Sequence, residues 1–117
     1  VETEDDPLRV SVCHCFACQQ RTGSAFGVQA RFARERTSVS GPSTAYVRTG
    51  DSGGKSTFHF CPTCGSTVYY ELEGIPDAIA IPVGAFADST FPGPKIAVFE
   101  VRRHPWVTIE GLAEHHD

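Results

Sequence analysis

A mainly β domain, its short antiparallel strands packed as stacked sheets with very little helix, is what the sequence predicts. Three observations carry this expectation. Apolar and polar residues alternate over several short runs, and those runs are bounded by Gly, Pro and Ser clusters. No stretch sustains the helical period for more than about one turn.

The elements follow in order. Leu8–Val12 alternates into the first cysteines, and Ala25–Phe32 alternates again, with Phe26, Val28, Ala30 and Phe32 on one side. Thr44–Thr49 and Thr57–Phe60 are rich in β-branched and aromatic residues. The cluster Gly50-Asp51-Ser52-Gly53-Gly54 lies between them, which is a hairpin pattern. Thr67–Leu72 reads as the next strand, and Ala78–Val83 and Ile96–Val101 read as buried strands flanked by Pro and Gly. Ala17–Arg21 is the single helical candidate, and Phe91-Pro92-Gly93-Pro94 marks a loop. With no repeat, linker or low-complexity tract, residues 1–117 are expected to form one domain.

Composition narrows the class of function. Of the 117 residues 40% are hydrophobic and 21% charged, enough to bury one small core. The formal charge is −4, and the densest positive run, Arg31, Arg34 and Arg36, is short. Nucleic acid is therefore not an expected partner. No apolar run approaches the ~20 residues that span a bilayer, so no membrane partner is expected either. Residues 1–7 hold neither a basic segment nor an apolar one, which is not the pattern of a secretory signal, and a cytoplasmic location is expected.

Chemistry concentrates in five cysteines. Cys13-His14-Cys15-Phe16-Ala17-Cys18 overlaps C-x-C with C-x-x-C, and Cys61-Pro62-Thr63-Cys64-Gly65 is a C-P-x-C-G turn. An odd count argues against a disulfide framework, and a redox pair would explain one motif but not two. Metal binding, with zinc as the ion suited to clustered thiolates, accounts for both. In the second turn Pro62 presets φ and Gly65 supplies a positive φ, so that backbone N–H groups can turn towards sulfur. Spacing leaves two ligand assignments open. One closed site would use Cys15, Cys18, Cys61 and Cys64, although 42 residues separate the pairs and Cys13 is left over. Alternatively Cys13, Cys15 and Cys18 hold one metal with an open fourth position, and Cys61 and Cys64 belong to another.

The run Cys13-His14-Cys15-Phe16-Ala17-Cys18-Gln19-Gln20-Arg21-Thr22-Gly23-Ser24 resembles the C-H-C-x-x-C-[QR]-x-x-[ST]-G signature of the glutathione-dependent formaldehyde-activating enzyme family. Phe60-Cys61-Pro62-Thr63-Cys64-Gly65-Ser66 resembles that family's F-C-P-x-C-G-S element, in the same order and at about the same separation. Ala78–Val83 and Pro105-Trp106 resemble its C-terminal half. The resemblance implies two zinc sites: a working site at Cys13, Cys15 and Cys18, and a structural site at Cys61 and Cys64 completed by an N-terminal C-x-C-G element. That element is not among residues 1–117. It is expected about a strand's length before Leu8, with Val1–Glu4 as the tail of the strand that follows it. The implied activity is that of a carbon–sulfur lyase joining glutathione and formaldehyde reversibly as S-hydroxymethylglutathione. The partner would be a small thiol or thiol–aldehyde adduct. A related branch, the centromere protein V family, implies the alternative of a non-catalytic, zinc-stabilised module, but its long basic extensions have no counterpart in this acidic sequence.

Three thiolates around Zn²⁺ leave a local charge of −1. They make the metal a weaker Lewis acid than three histidines would, which suits soft sulfur chemistry. Among proton carriers, His14 alternates away from its two cysteine neighbours and reads as a solvent or supporting residue. His59 lies two residues before Cys61, where the resemblance implies a basic residue; it is a candidate to contact an anionic substrate or to act in catalysis, and equally reads as a plain strand-surface histidine. Tyr69, Tyr70 and Glu71 read as core or pocket lining, Trp106 as core or lid, and His115 and His116 as a frayed tail. His104 carries no pattern. Arg21, Arg31 and Lys55 are candidates, by charge alone, for binding carboxylates.

Overall fold

The alternating runs become strands whose two faces bury different sets of side chains. A computed structural model describes residues 1–3, 5–50 and 53–117. It contains β1 (Glu2–Thr3), β2 (Arg9–Cys13), α1 (Phe16–Thr22), β3 (Gly27–Ala33), β4 (Thr37–Ser38) and β5 (Thr44–Thr49), then β6 (Lys55–Phe60), β7 (Thr67–Leu72), β8 (Ile75–Pro82), β9 (Ile96–Val98) and β10 (Glu114–His115). The fold is mainly β with stacked sheets and one short α-helix, as the alternation predicts. The main sheet runs β10-β9-β2-β3-β8-β7-β6-β5, and β1 pairs with β4 as a two-stranded ribbon. Of the expected β5–β6 turn, Asp51 and Ser52 lie outside the described residues, as does Glu4 of the expected N-terminal strand; Gly50 N–H bonds the Gly54 carbonyl at 2.8 Å.

Neighbouring strands from β2 through β8 to β5 pair antiparallel, whereas β9 lies parallel to β2 and β10 parallel to β9. The expected all-antiparallel pattern breaks here for a topological reason. The segment between β8 and β9 crosses one face of the sheet to reach the far side of β2, and such a crossover returns a strand in parallel. Its Val83, Phe86 and Phe91 cover the cluster of Val10, Ala30, Phe32, Ile79 and Ile81. The opposite face carries a smaller cluster of Phe58, Tyr70 and Ala80. Ile79, Ala80 and Ile81 thus divide between the faces by parity. The chain end is also in the sheet: β10 pairs with β9, and His116 N–H bonds the Ala97 carbonyl at 2.9 Å. His115 and His116 are therefore not a frayed tail. Trp106 is not core either, since 72% of it is exposed.

On the face of the large cluster, His59 stacks on Tyr69 with ring centroids 4.2 Å apart and an 8° interplanar angle. Its Nε2 lies 2.7 Å from Glu71 Oε1, and the Arg34 Nη2 donates to Glu71 Oε2 at 2.7 Å. Burial pushes the Glu71 carboxyl up, but the Arg34 and His59 hydrogen bonds outweigh it and hold its pKa below the usual 4.5.

Two predictions follow from these contacts. Phe32, 2% exposed and packed 5.9 Å from the Phe86 ring, is expected to cost about 3–5 kcal/mol as Phe32→Ala in denaturant unfolding, against less than about 0.5 kcal/mol for Trp106→Ala. Because the Glu71 pKa is lower in the folded protein, its stabilisation is complete above the unfolded pKa and disappears as pH falls through the folded one. Glu71→Gln is therefore expected to cost about 1 kcal/mol near neutral pH and nothing in strong acid, measured by unfolding at both pH values.

Candidate metal centre

Three thiols meet where β2 hands over to α1. Cys13 ends β2, in register with Gly27 on β3 and Val98 on β9. Extended backbone puts Cys13 and Cys15 on one side and His14 on the other. Cys15 is the N-cap of α1 (φ −62°, ψ 151°), and its sulfur accepts from the Cys18 N–H at 3.3 Å. That places Cys18 in the first helical turn, above the same spot. The three sulfurs lie within 4.8 Å of one another, and they are the one such group of three or more potential ligands among the described residues. Tetrahedral zinc with Zn–S of about 2.3 Å needs sulfurs about 3.8 Å apart, so the donor set fits the ion after a small contraction. Cys15, Cys18, Cys61 and Cys64 do not converge in this way, so the geometry brings together the three-cysteine set of the two ligand assignments.

The rest of the motif holds this corner in place. Gly23 closes α1 in the left-handed region (φ 67°), with its N–H on the Gln19 carbonyl at 2.9 Å. The Thr22 hydroxyl donates to the Cys18 carbonyl at 2.8 Å. The Gln19 amide donates to the His14 carbonyl at 2.9 Å and the Arg102 carbonyl at 3.3 Å, and its Oε1 lies 2.9 Å from His104 Nε2. Sequence reading missed Gln19 and His104 as a pair, since the contact spans 85 residues.

Protons are shared unevenly among the free thiols. Cys15 is driven well down because the Cys13 and Cys18 thiols donate to its sulfur. Cys13 is pushed up by its hydrogen bonds with Cys15 and Cys18 and by burial. Cys18 also ends raised: the hydrogen bond with Cys13 lowers it, but donation to Cys15 and burial outweigh that. One thiolate held by two thiols is the metal-free form, and a metal would displace the two remaining protons.

Beside the triad lies a groove of about 460 Å³ whose lining includes Ala17, Arg21, Tyr46, Arg48, Phe58 and Gly65. It runs between the first turn of α1 and the second cysteine turn. Arg48 bears electrostatically on Cys15 and Arg21 on Cys18, each favouring the thiolate. Arg48 was not singled out in the sequence. The β5–β6 register reveals it, because Tyr46 pairs with Phe58 and Arg48 with Ser56, which sets Tyr46, Arg48 and Phe58 on one face. Tyr70 belongs to this face too, and burial keeps its phenol protonated.

Other expected residues fall elsewhere. His59 and Glu71 occupy the opposite face of the sheet by strand parity, so His59 is not brought to the triad. Lys55 lies with them, lining a depression with Arg34 and Glu71. Arg31 is on the triad's face but beside Leu72, Ala78 and Ala80, away from the groove. His14 does point away from the ligands, yet it is 1% exposed rather than solvated. It packs edge-on against Phe26 at 6.0 Å, and burial depresses its pKa. In the second turn Gly65 has the expected positive φ (81°), and its N–H bonds the Cys61 carbonyl at 2.8 Å. Cys64 is exposed, and its thiol is pulled down by hydrogen bonding with Ser66. All five cysteines are free thiols, and no helix among the described residues is long and apolar enough to cross a membrane.

No curated protein matches the chain. The family model for the glutathione-dependent formaldehyde-activating enzyme matches residues 1–102, a span that contains the thiol triad, the groove and the second cysteine turn. The chain belongs to the glutathione-dependent formaldehyde-activating enzyme family.

Proposed function

We propose that this protein is a zinc-dependent carbon–sulfur lyase of the S-hydroxymethylglutathione synthase type. The observation that supports it most is a cluster of three protein sulfurs next to a groove with two arginines. A fourth position left to solvent or substrate is how working zinc sites differ from closed structural ones. Zinc held by Cys13, Cys15 and Cys18 would supply Lewis acidity, lowering the pKa of a thiol at that position.

The reaction is an addition. The thiol sulfur of glutathione attacks formaldehyde, the C–S bond forms as the C=O π bond breaks, and the thiol proton ends on the hydroxymethyl oxygen. The reverse step breaks the same bond. The chain's own contribution is to hold, orient and screen. Arg21 and Arg48 offset the negative charge of three thiolates plus the substrate sulfur. The neutral Tyr70 phenol keeps a proton on the triad's side of the sheet. His59 is assigned a stabilising place with Glu71 and Tyr69 rather than a proton-transfer role. Cys61 and Cys64 are proposed as half of a second, structural zinc site that needs two further ligands. Five free thiols suit a reducing compartment such as the cytoplasm.

Elemental analysis of anaerobically purified protein is expected to find zinc, with the metal of the triad lost in Cys18→Ser. Zinc loading at neutral pH should release protons, and retention should fall as pH falls, because protons compete for the thiolates. Absence of zinc from both proteins would defeat the assignment. Formaldehyde-dependent loss of glutathione thiol, followed by NMR of the hydroxymethyl adduct, is expected for the zinc-loaded protein and not for Cys18→Ser. Equal rates with and without protein would leave a zinc-stabilised module without catalysis.

A further inference from the structure

The groove beside the triad holds two guanidinium groups with no carboxylate partner. Among the described residues, no Asp or Glu forms an ion pair with Arg21 or Arg48, although Arg34 and Arg36 both have one. Instead both lean on one aromatic ring. Arg21 Cζ lies 5.2 Å from the Phe58 centroid and Arg48 Cζ 4.7 Å from it, with Arg21 also 5.3 Å from the Tyr70 ring. Such contacts fix the plane of a guanidinium while leaving its outward N–H fork free for an oxyanion.

Gly27 shows how close Arg21 lies to the triad. Its φ is not positive, so the backbone does not call for glycine there. A Cβ at that position would lie 3.4 Å from Arg21 Nη2 and 3.5 Å from Cys18 Cβ, ordinary van der Waals distances that place the Arg21 guanidinium and the Cys18 side chain next to one another around Gly27.

We infer that Arg21 and Arg48 are specificity-determining residues: together they recognise the carboxylates of a dicarboxylate thiol, and the groove discriminates against thiols that lack them. This rests on the reading of the groove as the thiol site. The electrostatic need is plain. A three-thiolate zinc carries −1 and an incoming thiolate adds another −1, so a substrate whose two carboxylates outnumber its one ammonium is repelled further unless fixed cations meet the carboxylates. Two arginines supply that charge, and their planar forks suit carboxylates better than lysines would. Arginines that merely neutralised the metal site would affect thiolate binding without telling an acid from its ester.

The test uses zinc-loaded protein and four probes: glutathione, S-methylglutathione, the dimethyl ester of S-methylglutathione, and 2-mercaptoethanol. Titration calorimetry gives their affinities for the wild type, Arg21→Gln, Arg48→Gln and the double variant. Each substitution is expected to weaken S-methylglutathione about tenfold, or about 1.4 kcal/mol. The ester should bind the wild type about as weakly as the diacid binds the double variant, and 2-mercaptoethanol, which has no carboxylate, should lose much less than S-methylglutathione in each variant. Arg21→Lys keeps the charge without the fork and should recover part of the loss. Equal binding of diacid and ester to the wild type would overturn the inference, as would a preference for the diacid that survives in the double variant. The two readings fail separately. If S-methylglutathione and glutathione bind equally and both need the arginines, the carboxylate pair stands and a metal-bound thiol does not. If glutathione binds through its sulfur whatever the arginines, the lyase reading stands and the pair falls.

Discussion

Three sulfur atoms within 4.8 Å of one another, each of which a metal would hold as an anion, must be kept together by a chain that has a strong electrostatic reason to let them part. The junction of β2 and α1 resolves this by geometry. Strand parity aims Cys13 and Cys15 the same way, the N-cap position of Cys15 points its sulfur at the Cys18 N–H, and the first helical turn brings Cys18 over both. Without metal, one thiolate accepting from two thiols is the arrangement that costs least. The Gln19 amide bridging the His14 and Arg102 carbonyls, with His104 on its other end, ties this corner to the C-terminal segment. A change in that distant segment would thus be felt at the metal ligands.

The sheet keeps two kinds of chemistry apart. One face buries Val10, Ala30, Phe32, Ile79 and Ile81 beneath the β8–β9 crossover, and at its edge the His59–Glu71–Arg34 network is satisfied within itself. The other face carries the triad, Tyr70, Phe58 and the two arginines, which form no ion pair with a carboxylate among the described residues. A cation with an ion pair is part of the structure's own electrostatics, whereas an unpaired one beside a groove remains available to a ligand. Arg48 faces the groove by its register in β5, whereas Arg34 stands in the short 3₁₀ turn after β3 and reaches Glu71 on the other face.

The groove also gives the second cysteine turn a place in the working half of the molecule. Gly65 lines it directly after Cys64, so a metal or any other restraint on that turn would shape one wall of the site. Family membership points to glutathione-dependent formaldehyde activation.

Much of this was legible along the chain. Alternation located Leu8–Val12 and Ala25–Phe32, β-branched and aromatic content marked Thr44–Thr49 and Thr57–Phe60, and apolar runs marked Ala78–Val83 and Ile96–Val101; Thr44–Thr49 and Thr67–Leu72 have the bounds the structure gives. The triad was legible too, since Cys13, Cys15 and Cys18 are joined by local geometry over six residues. Short β1, β4 and β10 were not, because two-residue strands carry no period and exist only through their partners. Tertiary structure alone decided which cations meet the site: it took Lys55 and His59 to the far face and brought Arg48 to the triad through a hairpin register. What the sequence determined by itself is therefore the metal-binding corner, a local object. What the fold decided is the surrounding charge, because a side chain's neighbours across a sheet depend on register and crossover, which no local pattern records.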